Sequence, residues 1–127
     1  MKTLSRGELE RSLRQGLQPL YLLVGPERYL RRIAAHEITE AALSATLIRE
    51  FNEASFSLFT DSVRNAIAAA EQLPMMSERR VVRVRDFARL RDADEEVLIA
   101  YLANPSPSTV MIFTADDLDK RKKSTKA

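Results

Sequence analysis

Two short, unbroken apolar segments constrain the fold of this chain more than any other feature of its sequence. Leu20–Val24 reads LYLLV, and Thr109–Thr114 reads TVMIFT. Apolar runs of this length without alternation are typical of strands covered on both faces, as in a parallel sheet between two layers of helices. Pro19 and Gly25 bound the first run closely. Both segments are therefore predicted to be buried strands.

The segments between these runs carry apolar residues at helical spacing. Helices are predicted over about 27–43 and 61–71, and another is predicted after Asp92, which precedes Glu95 in the pattern of an N-terminal cap. A first helix is predicted after Ser5, since Glu8 follows three positions later, as in a capping box.

Two further strands are predicted from weaker patterns. Thr46–Phe51 is a short candidate, and Val81–Phe87 alternates Val with Arg, which indicates a strand with one face less buried. Strands that alternate with helices predict an α/β fold: a three-layer parallel sheet flanked by helices, with right-handed crossovers. The pattern does not determine the order of the strands in the sheet.

The charge distribution divides the chain into a domain and a tail. The net charge of the 127 residues is +2, but five of the 20 basic residues lie among the last eight positions. We expect a domain over 1–118, ending before a last strand, and a basic tail over 119–127. The chain has no cysteine, no apolar leader and no apolar stretch of the roughly 20 residues that span a membrane. The sequence thus predicts a cytoplasmic protein without membrane contact.

The turn after the first predicted strand is where a sheet of this kind would bind phosphate. A phosphate loop needs two glycines, a lysine and a hydroxyl residue at fixed spacing. Here Gly25, Pro26 and Glu27 form a degenerate turn: proline lacks an N–H donor, and glutamate places negative charge where a phosphate would lie. We expect no nucleotide binding at this turn, no catalytic residue, no cofactor and no metal.

The loop before Val81 contains the least ordinary surface candidate. Met75 and Met76 are adjacent, behind Leu73 and Pro74. Methionine adapts well to a partner's groove, so these side chains are candidates for binding. Alternatively they fold back over the end of the preceding helix, and the sequence taken alone favours this packing, because isolated exposed apolar residues are common.

Four segments in order resemble a known family. They are Gly25–Leu30 after the first strand, Phe51–Asn52, Leu73–Val82 and Asp119–Lys123. In these segments, which extend over essentially the whole chain, the sequence resembles the delta subunit of the bacterial DNA polymerase III clamp loader. The resemblance implies an AAA+-like, P-loop-NTPase-like fold with a degenerate phosphate loop.

The resemblance also implies a function in DNA replication. Members of this family bind and open the ring-shaped beta sliding clamp without hydrolysing ATP themselves, and contact other clamp-loader subunits through regions absent from this chain. DNA contact is expected to be indirect or weak. Many members carry an aromatic residue or leucine where this chain has two methionines. The implied clamp-binding residues are Leu73, Pro74, Met75, Met76, Arg79 and Arg80.

Other functions remain as alternatives. One is a degenerate P-loop-type α/β interaction domain, or a nucleic-acid-binding domain, which would need basic residues gathered on one face of the folded part. An active nucleotide hydrolase would need the missing lysine and hydroxyl, and a phosphoacceptor receiver domain would need an acidic cluster after the first strand.

Overall fold

The computed structural model describes residues 6–25, 27–43 and 49–115. Helices and strands alternate along these segments. In chain order, the elements are α1 (Arg6–Gln15), β1 (Leu20–Val24), α2 (Arg28–Leu43), β2 (Glu53–Ser57), α3 (Val63–Ala70), β3 (Arg80–Arg85), α4 (Glu95–Ala103) and β4 (Thr109–Ala115). Within these segments, no helix is both long and apolar enough to span a membrane.

The four strands form one parallel sheet in the order β1-β4-β3-β2. Leu20 pairs with Met111, Val81 with Val110, and Glu53 with Val81. The two apolar runs of the sequence are thus β1 and β4, and β4 is buried between β1 and β3. The prediction of a parallel sheet flanked by helices is confirmed.

Two separate cores cover the two faces of the sheet, because successive residues of β3 and β4 point to opposite sides. The core on one face includes Val82, Val84, Met111 and Phe113, which pack with residues of α3 and α4. The core on the other face includes Val81, Val110 and Ile112, which pack with residues of α1 and α2. The predicted three-layer architecture is confirmed.

The second strand lies later in the sequence than predicted. The prediction placed it at Thr46–Phe51, but Arg49–Phe51 is a short 3-10 turn and the strand is Glu53–Ser57, while 44–48 lie outside the described residues. The segment reads EASFS, and serine is not typical of a buried strand. Ala54 and Phe56 are partly buried against the core that includes α3 and α4, so these two alternating residues are enough to make an edge strand.

Two predicted helix and strand ends were also wrong. β3 ends at Arg85 instead of Phe87, because Asp86 takes a left-handed conformation with φ of 60°. Asp92 does not cap α4 but begins a 3-10 turn over Asp92–Asp94. Ser5, the predicted cap of α1, and the tail 119–127 lie outside the described residues.

Candidate partner-binding loop

The loop over 71–79 joins α3 to β3 and therefore lies at the edge of the sheet where the parallel strands begin. The turn at Gly25 follows β1 and lies at the opposite edge, where the strands end. Ligands of open α/β sheets bind at that second edge. The two regions singled out by the sequence are thus separated by the length of the strands.

Three apolar side chains of the loop are exposed. Leu73 is 84% exposed, Met75 52% and Met76 86%, whereas Met111 in the sheet is fully buried. Packing of the methionines back over the end of the helix, which the sequence favoured, is therefore wrong for Met76, while about half of the surface of Met75 is covered. Adjacent exposed apolar residues on a loop form a surface suited to a partner.

A buried amide side chain fixes the backbone of the loop. Oδ1 of Asn52 accepts a hydrogen bond from the N–H of Met75 at 2.6 Å, and Nδ2 of Asn52 donates to the carbonyl oxygen of Met75 at 2.7 Å. Asn52 is fully buried, and its own carbonyl oxygen accepts from the N–H of Val81 at 2.8 Å. The loop is thus attached to the beginning of both β2 and β3.

The chain bends immediately after this attachment. Met76 has a φ of 50°, in the left-handed region that residues with a side chain rarely occupy. The hydroxyl of Ser77 then donates to the carbonyl oxygen of Arg79 at 2.9 Å. The loop therefore presents Met76 from a constrained turn.

The two arginines at the end of the loop have different environments. Arg80 is 9% exposed: its Nε donates to the carbonyl oxygen of Ala69 at 2.9 Å and its NH1 to that of Phe51 at 2.8 Å. Arg80, one of the implied clamp-binding residues, thus points inward, and its guanidinium connects α3 to the segment before β2. The side chain of Arg79 is 38% exposed, and its NH1 lies 4.0 Å from Oε2 of Glu78.

At the opposite edge, both backbone polar groups of Gly25 have protein partners. Its N–H donates to the carbonyl oxygen of Ala115 at 3.2 Å, and its carbonyl oxygen accepts from the guanidinium of Arg31. Glu27 is exposed, and Pro26 lies outside the described residues. The Gly25 N–H thus extends the pairing of β1 with β4.

Asp86 and His36 each contact a neighbouring polar side chain outside the loop. Asp86 follows β3, and its Oδ2 accepts from the hydroxyl of Ser57 at 2.5 Å, so it links the ends of β3 and β2. His36 is exposed on α2, with Nε2 3.8 Å from Oε1 of Glu40. Neither residue forms part of the loop.

A family model described as DNA polymerase III, delta subunit, matches residues 21–127, which is most of the chain. The chain belongs to the DNA polymerase III delta subunit family. The family agrees with the resemblance seen in the sequence, and the matched residues include the segment from Leu73 to Arg80.

Two relatives from Bacillus subtilis support the assignment to this family. The DNA polymerase III subunit delta is 35% identical over 128 aligned residues, which cover 92% of this chain and 37% of the relative. The solved structure of the DNA clamp loader delta protein is 30% identical, with a TM-score of 0.73, and the match covers 94% of this chain and 38% of that one. The chain thus spans less than two fifths of the length of these relatives.

More distant structures share the fold. A DNA polymerase III gamma subunit-related protein of Thermotoga maritima has a TM-score of 0.66 at 15% identity, with 85% of this chain and 38% of that one covered. A RuvB mutant of the same organism has a TM-score of 0.57 at 20% identity, covering 88% of this chain and 37% of that one. The predicted AAA+-like fold is confirmed. The degenerate phosphate loop stays a prediction.

The contact between Asn52 and the loop was not apparent from the sequence. The residue was noted only as part of the Phe51–Asn52 motif, and its partner Met75 lies 23 positions further along the chain. A buried polar residue between a helix and a strand was the available signal, because buried amides need hydrogen-bond partners.

Proposed function

We propose that this domain binds the beta sliding clamp through the loop that carries Leu73, Met75 and Met76, and that it does so as part of the delta subunit of the clamp loader. The observation that carries the proposal is the exposure of two adjacent methionines on a loop whose backbone is fixed by buried Asn52. Membership of the delta subunit family supports the choice of partner.

The chemistry of the loop suits a small apolar pocket. Small interfaces depend on a few buried anchors, and burying a methionine side chain contributes about 1.5–3 kcal/mol. Met75 and Met76 are the proposed anchors, while Leu73 adds apolar surface beside them and Pro74 restricts the backbone. Arg79, which remains partly exposed, is proposed to act at the rim through its charge.

We further propose that the chain takes part in opening the clamp without hydrolysing ATP itself. The turn at Gly25 has neither the lysine nor the hydroxyl residue of a phosphate loop, and the Gly25 N–H is bonded to Ala115. Nucleotide hydrolysis would then belong to other clamp-loader subunits, with which the delta subunit assembles in a cytoplasmic complex through regions absent from this chain. DNA contact would be weak or indirect.

Surface plasmon resonance on immobilised beta clamp tests the binding proposal. Met75→Ala/Met76→Ala should weaken binding by about 100-fold or more, since each 1.4 kcal/mol corresponds to tenfold. Tyr29→Ala is a matched control, because Tyr29 is also exposed, at 71%, but lies at the opposite edge of the sheet. Unchanged affinity of a folded double variant would overturn the proposal.

Calorimetry with ATP and Mg²⁺ tests the second proposal. We expect no saturable heat of binding. A magnesium-dependent dissociation constant in the micromolar range, about −8 kcal/mol in free energy, would contradict it.

A further inference from the structure

We propose that Asn52 is a positioning residue for clamp binding: it holds the Met75–Met76 turn in the conformation that the clamp recognises, without touching the clamp itself. This inference rests on the proposed function. It assigns part of the affinity to a residue that is fully buried in the domain.

The two hydrogen bonds of Asn52 require an amide. The side chain presents one acceptor to the N–H of Met75 and one donor to its carbonyl oxygen, at 2.6 and 2.7 Å. A carboxylate of the same shape has two acceptors and no donor, so it would face the carbonyl oxygen with a like partial charge. Ionised aspartate at this position would therefore keep one bond and lose the other.

The side chains of Leu73 and Met76 contribute little packing to the conformation of the turn. Leu73 and Met76 are 84% and 86% exposed, and Met76 occupies the left-handed region. Such a conformation costs about 1–3 kcal/mol and persists only where surrounding contacts determine it. The contacts next to Met76 are the two bonds from Asn52 to Met75 and the hydroxyl of Ser77 on the carbonyl oxygen of Arg79.

Asn52 is itself held in place on the side away from the loop. Its carbonyl oxygen accepts from Val81 N–H at 2.8 Å, which continues the pairing of β2 with β3. The carbonyl oxygen of Phe51 accepts from Arg80 at 2.8 Å. The anchor thus belongs to the sheet, and the side chain of Asn52 connects the sheet to the turn.

Loss of this anchor should lower the affinity without removing any atom that contacts the partner. When only a fraction of molecules has the competent conformation, the apparent dissociation constant rises by the inverse of that fraction. A turn that is correctly formed about one tenth of the time would bind about tenfold more weakly.

The test compares Asn52→Ala and Asn52→Asp in the full chain, each with the native methionines and with Met75→Ala/Met76→Ala. Binding to immobilised beta clamp is measured by surface plasmon resonance. Hydrogen exchange of the amides of Met75, Val82 and Val84 reports on the turn and on β3 separately. With the native methionines, we expect each Asn52 substitution to weaken binding about tenfold. With Met75→Ala/Met76→Ala, we expect the same Asn52 substitution to weaken binding little further, as for residues that act through one another.

The exchange data separate positioning from general destabilisation. We expect the amide of Met75 to exchange faster in both Asn52 variants, with Val82 and Val84 protected as in the unmodified chain. Normal clamp affinity in an Asn52 variant with protected β3 would overturn the inference, and so would an equal loss in both methionine backgrounds. If the double methionine variant itself binds normally, the proposed function fails first, and the role of Asn52 in clamp binding fails with it.

Discussion

Nε of Arg80 donates a hydrogen bond to the carbonyl oxygen of Ala69 at 2.9 Å, which connects the first residue of β3 to the last turn of α3. Arg79, the preceding residue, keeps part of its side chain in solvent. Two adjacent arginines therefore have different environments: one is bonded inside the domain and the other is partly exposed.

This difference predicts that matched alanine substitutions of the two arginines affect different properties. Arg80→Ala should lower the free energy of unfolding by about 1–3 kcal/mol, because it leaves the carbonyl oxygens of Ala69 and Phe51 without this donor. Arg79→Ala should leave stability nearly unchanged and slow association with the clamp at low salt. Urea titrations and association rates at two ionic strengths distinguish them. Similar stability losses in both variants would argue against the assignment.

Oxidation should affect the methionines unequally. Met75 and Met76 are exposed and Met111 is fully buried, so dilute hydrogen peroxide should convert the first two to sulfoxides before the third. Peptide mass spectrometry measures the extent at each position. The melting temperature should change little, while clamp binding should fall, since a sulfoxide is polar. Early modification of Met111 would mean that the sheet opens more readily than the structure indicates.

The carboxylate of Asp94 should stabilise the beginning of α3. It accepts from the hydroxyl of Ser62 at 3.2 Å and from Nε of Arg64 at 3.0 Å, and Ser62 in turn caps α3 by accepting from the N–H of Arg64. Asp94→Ala should cost about 1–3 kcal/mol in a urea titration. Arg64→Ala should cost less, about 0–1 kcal/mol, because that side chain is 58% exposed. The reverse order of the two losses would contradict this account.

Alkaline pH should destabilise the domain through Tyr21. Burial raises the pKa of Tyr21 above its ordinary value, although the N–H of Gln18 on its hydroxyl and the charge of Arg79 oppose the rise. The unfolded chain therefore loses this proton first, so the contribution is present below about pH 10 and is lost as the pH rises further. Urea midpoints between about pH 8 and about pH 11 should fall less in Tyr21→Phe than in the unmodified chain. An equal fall in both would exclude Tyr21 as the cause.

The sheet could be predicted from the sequence where burial alone defines the strand. β4 has an unbroken apolar run because it lies inside the sheet with helices on both faces, so the pattern and the structure coincide there. β1 has such a run too, but it lies at an edge of the sheet, and only Tyr21 in it is buried, so the prediction of a buried strand is wrong for β1. β2 lies at an edge and contributes only Ala54 and Phe56 to the core, and its serines concealed it. Strand order depends on packing between distant segments, which periodicity does not contain.

The candidate loop was located from the sequence, but the contacts that hold it in place were not predicted. Met75 and Met76 stood out because adjacent apolar residues are unusual in a loop, yet the backbone of Met75 is hydrogen-bonded to Asn52, which lies 23 positions before it. Arg79 and Arg80 are residues of the same type, so the sequence does not distinguish them. Only the position at which β3 begins, beside the end of α3, determines that Arg80 turns inward.

The placement of the loop at the beginning of β3 has a mechanical consequence. β3 is flanked by β2 on one side and β4 on the other, and its six residues span about 20 Å. A pull on Met76 along the strand would strain the hydrogen bonds of both ladders together in shear, instead of opening them one after another as at a free edge. A load applied at the loop would therefore be shared between the β2–β3 and β3–β4 ladders.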